Sequence, residues 1–213
     1  MENTIFEDIP FKENPLYEQV ISDLLNQKYA VVEGFFDSNL VLKLREILLA
    51  KGAENELKKA AIGNKINQLV DREIRGDYIQ WIDQNQANAI ESVFFETIEN
   101  FIEYLNKTCF MGILHKEFHY AIYPEGTFYE RHLDTFKNDD RRILSMVLYL
   151  NDESWTIDKN GGELVIYTAK NESLSLTPHP GRLVIFESQF LEHEVKPVKE
   201  GQRLSITGWL KTR

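Results

Sequence analysis

GGELVIYTAKNESLSLTPHPGRLVIFES, residues 161–188, holds three short apolar runs divided by turn residues. Each run is too short for a helix, and Gly, Asn and Pro punctuate the gaps between them. Working outward, the same texture continues on both sides: EFHYAIYP, TFYERHLDTF and ILSMVLYLN precede it, and HEVKPV and RLSITGWLK follow. Eight strands at this spacing, with no helical pattern between them, point to a sandwich or barrel rather than βαβ units.

Upstream, from residue 14 to about residue 107, apolar residues recur at helical spacing. PLYEQVISDLLNQKYAVVEGFF places Leu16, Val20, Leu24 and Leu25 on one face, with Pro15 near its start. DSNLVLKLREILLAKG offers Asp37 or Ser38 as an N-cap, an apolar set of Leu40, Leu42, Leu44, Ile47 and Leu48, and Gly52 as a stop. ANAIESVFFETIENFIEYLNK carries Ile90, Phe94, Ile98, Phe101, Ile102 and Leu105, the stripe of a helix laid on a sheet. Between the last two, residues 69–82 alternate around Gly76 and read as a hairpin or extended loop. The fold class expected is α+β with a mainly β core: a double-stranded β-helix (jelly roll) buttressed by N-terminal helices. One domain spans residues 1–213, with 1–114 as helical support and 115–213 as the β-core.

Bulk composition narrows the function. A net charge of −10 excludes general affinity for nucleic acid, which needs a basic footprint. No stretch approaches 18 apolar residues and the start MENTIFEDIPFKENP is no signal peptide, so a cytoplasmic, membrane-free protein is expected. The single Cys109 rules out a disulfide framework and suits a reducing compartment; beside Phe110 and Met111 it reads as a buried small hydrophobe.

The chemistry is concentrated in YERHLDTF, residues 129–136. In a strand His132 and Asp134 share a face while Leu133 points to the core. His193, at the start of a later strand, can complete a set of two histidines and a carboxylate. Non-haem Fe(II) oxygenases use that triad, and zinc hydrolases also use two histidines with a carboxylate. A surface ion pair of His132 with Asp134 is the bland alternative. Arg203 stands ten residues beyond His193. Alternation sends Arg203, Ser205, Thr207 and Trp209 to one face and Leu204, Ile206 and Leu210 to the other. A buried-facing arginine is costly unless it meets an anion, and a small dicarboxylate suits its bidentate geometry; pairing with an acid on an exposed strand is the other option.

His132, Asp134, His193 and Arg203, in this order and spacing, resemble the core of the Fe(II)- and 2-oxoglutarate-dependent dioxygenases, in the prolyl 4-hydroxylase branch. YPEGTFYERHLD, YLND, GGELVIY and RLSITGWL are similar to the oxygen-sensing hydroxylases of hypoxia-inducible factors and their bacterial relatives. EIRGDYIQWI, residues 73–82, resembles the finger loop that covers the protein substrate in those enzymes. The resemblance implies that His132, Asp134 and His193 hold Fe(II), and that Arg203, with Tyr149 and Thr207, binds the distal carboxylate of 2-oxoglutarate. It implies that Tyr123 and Tyr129 line the pocket near the metal. It also implies that Trp209, Arg75, Asp77 and Arg142 lie on the substrate side, with Asp77 paired to Arg142. The activity implied is hydroxylation of a proline in a protein partner, with O2 as cosubstrate, succinate and CO2 as coproducts, and ascorbate as a possible reductant. The sequence does not fix the oligomeric state; a monomer is the expectation. The alternatives are a same-family enzyme for a free amino acid or small molecule, and a non-catalytic metal-binding barrel. His179 reads as a turn residue, and His115 and His119 as strand residues.

Overall fold

A computed structural model describes residues 12–54, 56–60, 75–135, 140–168 and 172–213. Three long helices support two antiparallel sheets. The order is α1 (Pro15–Gln27), β1 (Tyr29–Val32), α2 (Ser38–Ala53), β2 (Lys58–Lys59), β3 (Tyr78–Trp81) and α3 (Ala89–Cys109). Then come β4 (His115–Tyr123), β5 (Tyr129–His132), β6 (Arg142–Tyr149), the short α4 (Ile157–Asn160), β7 (Leu164–Tyr167), β8 (Ser173–Leu176), β9 (Leu183–Glu187), β10 (His193–Val195) and β11 (Arg203–Lys211). All eight runs read as strands downstream of residue 114 are strands.

The larger sheet runs β1-β9-β6-β11-β4-β3-β2 and the smaller one β5-β10-β7-β8. Strand alternation divides the interior in two. On one side Phe118, Tyr120, Ile122, Leu144, Met146, Ile185, Leu204 and Ile206 pack under the helices with Leu48, Phe94, Ile98 and Leu105. Each Leu or Ile so buried contributes on the order of 2 kcal/mol. On the other side Ala121, Tyr123, Val147, Tyr149, Val184 and Phe186 meet Leu164, Ile166 and Val195 of the smaller sheet. The central strands are apolar on both faces because both faces are covered.

Caps follow the sequence closely. Asn14 accepts from the backbone of Leu16 and Tyr17, and Asp37 rather than Ser38 caps α2. Asn88 and Glu91 form a capping box on α3.

Several expectations are corrected. Leu25 is 75% exposed and Leu42 51% exposed, so the apolar stripes of α1 and α2 are narrower than read. Gly52 does not stop α2 but sits within it, where a Cβ would come 2.9 Å from Ile122 Cδ1. Cys109 is exposed: it is the last residue of α3, which outruns the core face that ends at Leu105. The fifth strand ends at His132, so Asp134 reaches the site from a bend, and Leu133 is 39% exposed rather than core. Of the stretch 69–82, residues 69–74 lie outside the described residues, and Tyr78–Trp81 forms a strand on the edge of β4. Phe136 is likewise outside them.

Candidate metal and cosubstrate site

His132 and His193 are direct cross-strand partners, the former ending β5 and the latter opening β10. Directly opposed residues point to the same face, and their rings lie 4.3 Å apart between centroids. Each ring is oriented the same way. Nδ1 of His132 donates to the Glu130 carbonyl at 2.6 Å, and Nδ1 of His193 to the Leu191 carbonyl at 3.2 Å. A carbonyl only accepts, so both protons sit on Nδ1 and both Nε2 lone pairs are left for a ligand. The two Nε2 atoms face the two oxygens of Asp134, each at 3.5 Å. One donor atom from each residue falls within 4.8 Å of the others.

Asp134 is buried and its Oδ2 accepts from the Ser145 hydroxyl at 2.6 Å; Ser145 is in turn bonded to Ser188 at 2.8 Å. Burial opposes its charge, but His193 and His132 beside it and the Ser145 hydroxyl hold its carboxyl well below the usual carboxylate range. Burial pushes His193 down to about 4, so its imidazole is neutral at pH 7. A carboxylate and two imidazoles whose Nδ1 atoms are tied to backbone carbonyls are the donor set a divalent first-row metal requires.

Tyr129 stacks on His132 at 3.7 Å and 19°, and the Arg75 guanidinium also lies over the Tyr129 ring at 4.3 Å. Phe186 packs edge-on to His193 at 4.6 Å. Burial raises the Tyr129 phenol to about 12, so its hydroxyl keeps its proton.

Arg203 is 1% exposed and opens β11 on the inter-sheet face. Its Nε donates to the Gly162 carbonyl at 2.9 Å and its Nη1 to Ser205 Oγ at 3.3 Å. Gly162, at φ 68°, leaves this approach open; a Cβ there would stand 3.2 Å from Arg203 Cδ. Tyr123 and Tyr149 flank the guanidinium, each ring centroid 5.0 Å away. No carboxylate pairs with Arg203 among the described residues, and the buried Tyr149 hydroxyl has no hydrogen-bond partner. A buried cation beside an orphaned hydroxyl is a ready anion site.

These residues open on one cavity of about 470 Å³, lined by His132, Asp134, His193, Arg203, Tyr123, Tyr129 and Thr207, and on its outer side by Arg75, Arg142 and Trp209. Tyr149 and Asp77 stand behind that wall. The anticipated pair of Asp77 with Arg142 is replaced: Asp77 binds Arg75 through two hydrogen bonds of 2.7 and 2.6 Å. Arg142 instead binds Glu117 at 2.8 Å, donates to the Asp134 carbonyl at 3.1 Å and lies 3.6 Å over Trp209. Asp77 and Arg75 sit on one short segment, so the nearer guanidinium takes the buried carboxylate.

Residues 118–211 match the family model of the 2OG-Fe(II) oxygenase superfamily. The fold is also that of a Pseudomonas putida prolyl-4-hydroxylase, with TM-score 0.83 and 37% identity over 93% of this chain and 100% of that one. The chain belongs to the 2OG-Fe(II) oxygenase superfamily, in its prolyl hydroxylase family. A Trichoplax adhaerens prolyl hydroxylase, solved with a hypoxia-inducible-factor peptide fragment, superposes with TM-score 0.83 at 26% identity, covering 92% of this chain and 89% of that one. Among curated relatives, mouse prolyl hydroxylase EGLN3 is 31% identical over 145 residues, 65% of this chain and 59% of that protein. A PKHD-type hydroxylase of Prochlorococcus marinus is 39% identical over 85 residues, 39% of this chain and 36% of that protein. Such matches span little more than a third of the PKHD-type proteins.

The superfamily uses Fe(II), 2-oxoglutarate and O2, and the site of this oxygenase fits them. The triad offers two nitrogens and a carboxylate on one side of a single point, and Arg203 with the Tyr149 hydroxyl offers the anion site. His119 went unrecognised in the sequence. It is buried, lines the cavity, and packs its ring 4.9 Å from Trp81 and 5.5 Å from Trp209. Parity with Tyr123 along one strand was the available signal. Ser145 shares parity with Tyr149 in the same way. Nothing local marks Trp81 or Glu117 as site residues, since their partners come from other strands.

Proposed function

We propose that this oxygenase hydroxylates a proline within a protein substrate, using Fe(II), 2-oxoglutarate and O2 and releasing succinate and CO2. The observation that carries the reading is the shared cavity: the metal triad and a buried arginine that no described carboxylate pairs with face the same space. The 37% identity to a prolyl-4-hydroxylase over nearly the whole chain supports proline as the target.

Iron and 2-oxoglutarate, when bound, supply the oxidising chemistry that activates O2 and inserts one oxygen into a C–H bond. His132 Nε2, His193 Nε2 and an Asp134 oxygen would hold the metal, leaving the opposite side open. Ser145 fixes the Asp134 carboxylate, and the Glu130 and Leu191 carbonyls fix the imidazoles. Arg203 would anchor the distal carboxylate, with Tyr149 and Thr207 as hydroxyl partners. Tyr123 and Tyr129 would keep water from the reacting centre. Arg75, Asp77, Arg142 and Trp209 would shape the substrate wall. We read the two facing sheets as a jelly roll and the chain as one domain and a monomer. We place the reaction in the cytoplasm, with ascorbate as a reductant that keeps the iron ferrous.

The test is anaerobic loading with Fe(II) and 2-oxoglutarate, followed by O2 and proline-containing peptides, with succinate and a peptide mass gain of one oxygen as readouts. Absence of 2-oxoglutarate turnover under all conditions would favour a non-catalytic module. Turnover coupled to a free amino acid but to no peptide would favour the small-molecule alternative.

A further inference from the structure

Among the described residues, the mouth of the cavity has the opposite electrostatic sign to the chain. The chain carries −10, yet the ionisable residues lining the outer cavity include Lys58, Lys59, Arg75 and Arg142 against Glu56. The two arginines are compensated in place, by Asp77 at 2.6 Å and by Glu117 at 2.8 Å. Glu56 is taken up by Lys51 at 3.6 Å and Gln80 at 3.1 Å. Lys58 and Lys59 are exposed and make no ion pair among the described residues; the Tyr78 ring lies 6.0 Å from Lys59 Nζ. Among the described residues, two cations without a carboxylate partner therefore sit at the rim of the cavity.

Their place in the sheet sets their distance from β11. Lys58 is in register with Ile79, which pairs with Ala121, which pairs with Ser205 next to the strand positions of Arg203 and Thr207. Three strand spacings separate β2 from β11, about 14 Å, which an extended peptide crosses in about four residues. Trp81, 53% exposed, and Leu133, 39% exposed, border the same mouth and offer apolar contact to a residue seated over the triad. Charge at an interface rim acts mainly on encounter and partner choice.

We propose that Lys58 and Lys59 dock an acidic segment of the protein substrate that flanks the residue placed over the metal triad. This rests on the reading of the substrate as a protein. It makes the preferred sequence acidic although the enzyme itself is acidic, so docking is local and salt-sensitive.

Three labelled peptides test it, each with a central proline, a four-residue neutral spacer and a flank of three Glu, three Gln or three Lys. Fluorescence anisotropy on full-length enzyme loaded with Mn(II) and 2-oxoglutarate reads binding without turnover. The Glu peptide binds tightest and the Lys peptide weakest, and NaCl erodes the difference. Lys58→Glu/Lys59→Glu weakens the Glu peptide about tenfold, the size expected of two exposed pairs, and reverses the order. Lys58→Gln/Lys59→Gln, checked for folding by thermal melting, abolishes the preference without reversing it. An order unchanged in both variants overturns the proposal, as does no binding of any peptide. If the Glu peptide binds through the lysines but is never hydroxylated, the prolyl reading fails while the docking site stands.

Discussion

Replacing Arg203 by Met removes a buried cation that no carboxylate among the described residues neutralises, and two opposite effects follow from its surroundings. Two of its donors are committed inside the protein, to Gly162 O at 2.9 Å and Ser205 Oγ at 3.3 Å, and the rest of the fork is left for a ligand carboxylate. Hydrogen bonds to charged groups contribute roughly 1.5–3 kcal/mol each, so losing about two costs about 3–6 kcal/mol. At 1.4 kcal/mol per factor of ten this is a rise of roughly 10²–10⁴-fold in the KM for 2-oxoglutarate. The ligand-free protein responds differently. A buried guanidinium without a counter-ion is a liability, so an apolar side chain of similar length leaves the apo melting temperature unchanged or higher. Succinate release at varied 2-oxoglutarate gives KM, and thermal melting with and without 2-oxoglutarate gives the linkage. In the wild type the ligand raises Tm; in Arg203→Met it does not. A variant that keeps its 2-oxoglutarate KM within threefold, or still gains Tm from the ligand, refutes the assignment of Arg203.

Ser145→Ala strips the Asp134 carboxylate of its hydroxyl donor, and Mn(II) affinity measured by calorimetry falls about 10–100-fold, as for other outer partners of metal ligands; unchanged affinity would assign Ser145 to packing alone. Glu117→Gln releases Arg142 and Lys211, which it holds at 2.8 and 2.9 Å, and so loosens the support under Trp209; KM for the protein substrate rises a few-fold with kcat nearly constant, and Glu117→Asp restores part of it. Burial pushes His119 down to about 3, so the folded state excludes a proton that the unfolded chain binds below about 6.5. Its contribution is intact above that pH and is lost as pH falls toward 3, by at most about 1.4 kcal/mol per unit. Urea midpoints of metal-free protein at pH 7 and 5 show a smaller drop for His119→Gln than for wild type; equal drops would place the acid sensitivity elsewhere.

Much of this was legible in order and spacing alone. Period-2 alternation separated Arg203 and Thr207 from Leu204 and Ile206, and the structure puts those two sets on opposite faces of β11. Turn residues marked all eight strands because Gly, Pro and Asn act locally on φ and ψ. Alternation failed at Leu133 and Asp134, where β5 ends and a bend takes over. Stripe reading failed at Leu25 and Leu42, because a helical period says which residues share a face but not how wide a face the sheet covers.

The chain's local chemistry determined the donors: two histidines and an arginine at strand ends, and a carboxylate in the bend after β5. Tertiary structure alone decided that His132 and His193 oppose each other across β5 and β10, that Asp77 belongs to Arg75 and Arg142 to Glu117, and that His119 and Trp81 join the cavity wall. The reason is physical. Strand pairing across sixty residues, and the choice of counter-ion among many acids, depend on distances that sequence separation does not encode.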